Sequence, residues 1–225
     1  MNDKTKPSEC SAQHGGPEPM SKPRDRDRIL DGALQASCQV LIAEGACGAL
    51  IEAMRLATGE GTRSSAAATM YSLASNKEGC AALIAEGACG ALVEALKLAE
   101  KEDTRSRIAA TMYLLASHDE GCAALIAGGA CGALTESLKN AQNDDSKFNI
   151  VCVMQRIALQ DDSRSLLLAV KGACRALVLV LTAARNDYLR LNVAEAMHAM
   201  VLDYQGCAAF VAAGVRRAGR SVEHH

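Results

Sequence analysis

The sequence predicts an all-α protein, a solenoid of about four three-helix repeats with a period of about 42 residues. Three observations predict it. The segment Cys80-Ala-Ala-Leu-Ile-Ala-Glu-Gly-Ala-Cys-Gly-Ala-Leu92 recurs at Cys38–Leu50 with two changes and at Cys122–Leu134 with one. A glycine marks the same beat at Gly45, Gly87, Gly129, Gly172 and Gly214. The composition is rich in Ala, Leu, Ile, Val and Cys, has no Trp, and places three of its four prolines within the first 19 residues. Small aliphatic side chains with few rings and few helix breakers suit helices packed closely on helices.

Residues 1–27 are rich in Pro, Gly, Ser and charge and carry no apolar period, so they read as a flexible leader. The run Arg24-Asp-Arg-Asp-Arg28 reads as solvated charge. A capping helix is expected to start near it and to run through Ile29, Leu30, Ala33 and Leu34, covering the first full repeat. The solenoid is assigned to residues 28–219, with repeats at 38–79, 80–121, 122–164 and 165–206 and a partial unit at 207–217. The first two repeats agree at 29 of 42 positions. Residues 220–225 read as cloning and tag residues.

Cys80–Gly121 is the clearest unit. Cys80, Leu83 and Ile84 give a short first helix one buried face. Gly87 stops it, because a helix end often needs a left-handed residue. A second helix is expected from Cys89 or Gly90, with Cys89, Leu92, Val93, Leu96 and Ala99 as its apolar stripe. After Glu100-Lys-Glu-Asp103, either Asp103 or Thr104 is expected to cap the third helix. That helix turns Ile108, Met112 and Leu115 inward and ends at Ser117-His-Asp-Glu-Gly121. The third repeat gains one residue, and the fifth first helix stops at Gly214.

Composition narrows function by exclusion. The formal charge of −2 gives no electrostatic case for nucleic acid or an anionic membrane. No run is apolar enough to span a bilayer, since Leu166–Ala184 is interrupted by Lys171 and Arg175. The ten cysteines follow the repeat, not the tight spacing of a disulfide or metal framework. They read as small core residues of a protein of the reducing cytoplasm or nucleus. Cys10 and Cys152 are the expected exposed exceptions. No phosphate loop, paired-carboxylate motif or His/Cys metal spacing occurs, and only His118 and His198 lie in the body, so neither an enzyme nor a cofactor is expected.

Three helices per period, joined at the first corner by Glu-Gly-Ala-Cys-Gly-Ala-Leu, resemble the armadillo repeat. Met70-Tyr-Ser-Leu-Ala-Ser75 and Met112-Tyr-Leu-Leu-Ala-Ser117 resemble the tails of its third helices. The resemblance covers residues 30–217. It implies a right-handed superhelix whose third helices line a concave surface that binds proteins or extended peptides. The family's nuclear-import receptors carry a groove Trp and, four residues later, an Asn. The Trp position falls here on Ala68, Ala110, Cys152 and Glu195, and the Asn position on Ser72, Leu114, Arg156 and Ala199. The resemblance therefore implies a scaffold outside that subtype.

Helical spacing from those positions gives a candidate groove. It comprises Ser65, Ala68, Ser72 and Asn76, then Arg107, Ala110, Leu114 and His118, then Asn149, Cys152, Arg156 and Gln160, then Asn192, Glu195, Ala199 and Asp203. Tyr71 and Tyr113 flank it. A basic ladder, Arg63, Arg105, Lys147 and Arg190, reads as surface pairing with the acidic loops before it, and otherwise as a nucleic-acid or acidic-peptide site. The expected partner is a protein or extended peptide bound by a non-catalytic scaffold. The alternative is a subunit of a longer array that self-associates through the solenoid ends.

Overall fold

The computed structural model describes residues 35–202 and 204–220, all of whose regular structure is helical. The leader, Cys10, the expected capping helix over 29–34, Asp203 and residues 221–225 lie outside the described residues. The first repeat holds α1 (Gln35–Ala43), α2 (Ala46–Leu56) and α3 (Glu60–Ala74). The second holds α4 (Lys77–Ala85), α5 (Ala88–Leu98) and α6 (Glu102–Leu115). The third holds α7 (Asp119–Ala127), α8 (Ala130–Asn140) and α9 (Asp144–Leu159). The fourth holds α10 (Asp161–Ala169), α11 (Ala173–Ala183) and α12 (Asp187–Met200), and α13 (Tyr204–Arg220) follows.

The helices pack by class. The third helices α3, α6, α9 and α12 stack on one another in sequence order and form one layer. The second helices α2, α5, α8 and α11 stack likewise and form the other. Between the layers lie Leu83, Leu92, Ile108, Met112, Leu125, Leu134, Ile150, Met154 and Ile157, all fully buried. The stripe expected of α5 is buried throughout, from Cys89 to Ala99.

The corner between first and second helices turns the chain by 72°, 80°, 78° and 81° in the four repeats. The residue at each turn is Gly45, Gly87, Gly129 or Gly172, with φ between 78° and 95°. An L-residue with a Cβ is strained in that region. Gly87→Ala is expected to cost about 1–2 kcal/mol even though Arg55 Nη2, 3.9 Å away, is the nearest atom a Cβ would meet. Urea denaturation of the variant measures this.

Three boundaries differ from expectation. The third helix of repeat two starts at Glu102 behind Lys101, without a side-chain cap, because Asp103 is drawn to Arg107 and Ser64 instead. Asp119-Glu-Gly121 form the first turn of α7, with His118 at its N-cap, so the third helix ends earlier than the sequence suggests. Helix α13 runs on past Gly214, where a corner was expected.

The extra residue of repeat three is absorbed by lengthening α9 to 16 residues. Gln160 then serves as both the C-cap of α9 and the N-cap of α10. At the other third-to-first corners a glycine faces the preceding carbonyl, and a Cβ on Gly79, Gly121 or Gly206 would overlap Leu73 O, Leu115 O or Met200 O. At the corresponding place in repeat four stands Arg164, whose Nε donates to Ala158 O at 2.9 Å.

Candidate peptide-binding cleft

The basic ladder is structural. Arg63 and Arg105 are buried, 8% and 6% exposed, where surface pairing was expected. Arg63 Nη1 donates to Ala57 O at 2.8 Å and Arg105 Nη2 to Ala99 O at 3.0 Å. Each thus satisfies a carbonyl just past the end of a second helix, the group that a helix terminus leaves orphaned. Their other partners are Glu60 and Glu102. Lys147 donates to Gln142 O, and Arg190 pairs with Asp187. Arg63 and Arg105 are thus spent inside the fold, while Lys147 and Arg190 make the expected surface pairs with Asp144 and Asp187.

The carboxylates opposite them bridge repeats. Glu60 Oε1 accepts the Glu100 amide at 3.1 Å, and Glu102 Oε2 accepts the Asn143 amide at 3.3 Å. Burial opposes ionisation of Glu60. Hydrogen bonds from Thr104, the Glu100 and Lys101 amides and Arg63 outweigh it and hold the carboxyl down at about 2. Glu102 is lowered on the same pattern, against burial, by Ser146, the Asn143 and Gln142 amides and Arg105.

The cysteines behave as core residues with two corrections. Cys38, Cys47, Cys80, Cys89, Cys122, Cys131 and Cys174 are buried free thiols. Burial pushes Cys89 and Cys131 up to about 11, so they stay protonated and unreactive at neutral pH. Cys152, expected to be exposed, is 7% exposed because the third helices of repeats three and four close over it. Cys207, expected in the core ladder, is exposed, and its thiol bonds to Val201 O at 3.5 Å. No group of three or more His, Cys, Asp or Glu among the described residues could hold a metal ion.

The predicted groove residues divide. Asn149, Arg156, Asn192, Glu195 and Tyr113 line one cleft of about 500 Å3 on the third-helix layer, spanning α6, α9 and α12, with Cys152 among its walls. The remainder lie outside it. Ser72 is exposed and bonds back to Ala68 O, and Ser65 lines a separate shallow depression with Leu50, Thr62 and Thr69. Asn76 and His118 are helix N-caps, and Asn76 Oδ1 is occupied by the Glu78 amide at 2.9 Å. Arg107 is tied to Asp103 at 2.9 Å. Leu114 is half-buried, and its carbonyl accepts the Cys80 thiol at 3.8 Å. Tyr71 is 43% exposed and Ala199 is 2% exposed, so the latter faces the core and not the groove.

Sequence reasoning missed Phe148, Gln155, Leu159 and Tyr188, which complete the cleft. Phe148 and Tyr188 stack with ring centroids 4.8 Å apart. With Tyr113 they make three of the six aromatic residues in the chain. That concentration was a signal available in the sequence. Arg156 sits with its guanidinium carbon 5.1 Å from the centre of the Tyr113 ring and donates through Nη2 to the Tyr113 hydroxyl at 3.1 Å. Asn149 Nδ2 donates to Ser106 Oγ at 2.9 Å, Asn192 Nδ2 to Tyr188 O at 2.8 Å, and Gln155 Nε2 to Glu195 Oε2 at 3.3 Å. The polar walls are therefore held by bonds within and between third helices. Burial pushes the Cys152 thiol up to about 11, with Glu195 adding to the rise and Arg156 opposing it.

No family model matches the chain, and no curated protein matches its sequence. Solved structures do match. A computationally designed armadillo repeat protein for modular peptide recognition superposes with a TM-score of 0.71 at 23% identity, covering 88% of this chain and 87% of that one. A designed armadillo repeat protein in complex with peptide (KR)4 gives a TM-score of 0.69 at 22% identity, covering 90% and 88%. An engineered protein solved by a structural genomics consortium gives 0.67 at 20% identity, covering 75% and 68%. With helices in threes, left-handed glycine corners and a continuous layer of third helices, the chain has the fold of the armadillo-repeat solenoids.

Proposed function

We propose that the protein is a non-catalytic scaffold that binds an extended peptide, or an extended segment of a protein, on its third-helix layer. The observation that carries this reading is the cleft across α6, α9 and α12, where three rings and a set of fixed polar groups meet. Rings with polar edges are effective anchors at interfaces. Helices that hold their side chains in place bind with little backbone change. The peptide held by one designed armadillo repeat protein supports the same kind of partner. A reducing compartment, cytoplasm or nucleus, accords with the nine free thiols among the described residues.

Affinity capture from lysate tests the reading, comparing the intact chain with a Tyr188→Ala/Glu195→Arg double variant. Both sites are exposed, so the fold is expected to persist. A partner held by the intact chain and lost from the variant supports it. A partner held equally by both removes the cleft from the function.

A second reading, self-assembly, is favoured by one observation. A depression of about 670 Å3 lined by α8, α10, α11 and α13 holds Leu168, Cys174 and Leu179 among its walls and leaves apolar surface open in the fourth repeat. A mass that rises with concentration in light scattering is expected if copies join there, and a constant monomer mass removes the reading.

A further inference from the structure

The cleft is electrically two-sided. Arg156 from α9 and Glu195 from α12 both line it, and no ion pair joins them among the described residues. Arg156 is half-buried, and its nearest polar partner is the neutral hydroxyl of Tyr113. Tyr113 aims the guanidinium without neutralising it. Its remaining N–H donors are open to a ligand. Glu195 is exposed and takes one long bond from the neutral Gln155, so its charge is equally uncompensated. The Cys152 thiol, which donates to Asn192 Oδ1 at 3.8 Å, and the stacked Phe148 and Tyr188 give the cleft apolar walls. Walls of that kind strengthen a charge contact relative to open water.

We propose, on the peptide-binding reading above, that this cleft selects an extended peptide bearing an acidic and a basic side chain two residues apart, the acidic one meeting Arg156 and the basic one Glu195. The spacing follows from geometry. Arg156 and Glu195 stand on adjacent third helices about 8–10 Å apart and are offset by about one turn, Glu195 lying level with Cys152. An extended chain advances about 3.3 Å per residue and turns alternate side chains to one face, so residues i and i+2 share a face at about 7 Å. Side-chain length closes the difference. The two charges oppose each other's wrong ligands: a doubly basic segment meets Arg156, and a doubly acidic one meets Glu195.

Fluorescence anisotropy with labelled dodecapeptides of Ser and Gly tests this, the central residues being Glu-x-Lys, Glu-x-Glu, Lys-x-Lys or Ser-x-Ser. The Glu-x-Lys peptide is expected to bind about tenfold more tightly than either like-charged peptide, the scale of one charge-assisted hydrogen bond. Glu195→Gln is expected to abolish the preference for Glu-x-Lys over Glu-x-Glu. Arg156→Gln is expected to abolish the preference for Glu-x-Lys over Lys-x-Lys. Glu195 is exposed, so its variant separates a binding effect from a folding one, and circular dichroism checks the Arg156 variant. A like-charged peptide that binds as tightly as Glu-x-Lys, or discrimination that survives Glu195→Gln, overturns the proposal and leaves the peptide-binding reading standing. No binding by any peptide, together with no partner in the capture experiment, overturns both.

Discussion

Gly121→Ala lowers stability by about 3 kcal/mol, while Gly90→Ala leaves it unchanged or raises it by up to about 1 kcal/mol. The same chemical change has opposite signs because of what surrounds each residue. A Cβ on Gly121 would overlap Leu115 O and stand 2.9 Å from Ile84 Cδ1. Backbone cannot retreat as the end of a flexible side chain can, so α7 must lift from the end of α6. A Cβ on Gly90 meets nothing within 4 Å. There the helix gains Ala's lower backbone entropy cost with no steric penalty. Thermal and urea unfolding of the two single variants checks the contrast. Equal shifts in the same direction would show that the third-to-first corner is looser than its geometry indicates.

The second large effect is on acid stability, and it comes from Glu60. Its folded carboxyl titrates at about 2, below the ordinary 4.5. A depressed carboxylate pKa contributes stability that is complete above the unfolded value and is lost as pH falls through the folded one. The window therefore runs from about pH 5 down to about pH 2. Full conversion of the shift would be about 3 kcal/mol, and solvent screening reduces the expected contribution to about 1–2 kcal/mol. Glu60→Gln is expected to be the less stable protein at pH 7 and to converge on the unaltered chain as pH approaches 2. Urea titrations at pH 7, 4 and 2.5 measure this. A gap that does not change with pH would mean that Glu60 acts through shape and not through charge.

The architecture was legible in the sequence because it is written several times. One copy of Glu-Gly-Ala-Cys-Gly-Ala-Leu says little, but its return with every turn glycine in register fixes the helix order and the stacking. Gly214 belongs to the same beat and still fails as a corner, since α13 runs on past it. The cleft was half legible. Positions carried over from the Trp and Asn rows reached Arg156 and Glu195 by landing on the right helical face. They also named Asn76 and His118, which stand at the N-caps of first helices outside the cleft, Asn76 with its side chain bound to the Glu78 amide. They passed over Phe148 and Tyr188, which sit about one to three turns nearer the start of their helices than those rows. Charge pattern misled for a different reason. Spacing shows that a cation recurs, but not that its guanidinium turns inward to a carbonyl, as those of Arg63 and Arg105 do.

The clasps that join neighbouring repeats change from backbone bonds to side-chain bonds along the chain. Glu60 accepts a backbone amide of the second repeat, that of Glu100. Glu102 accepts the Asn143 amide of the third on its carboxylate and the Ser146 hydroxyl on its carbonyl. At the last joint the bonds run from side chain to side chain: Asn186 to Asp144 at 2.7 Å, Gln155 to Glu195 at 3.3 Å and the Cys152 thiol to Asn192 at 3.8 Å. In a solenoid each interface is a separate link, so the array should unzip from the fourth repeat toward the first, with amide exchange fastest in α10 to α12. The cleft straddles that last joint. A ligand held between α9 and α12 would act as a further clasp, and the cost of ordering the last repeat would be subtracted from its affinity. Recognition and the completion of the fold would then be one event, and the slack at the joint would set how tightly the protein can hold anything.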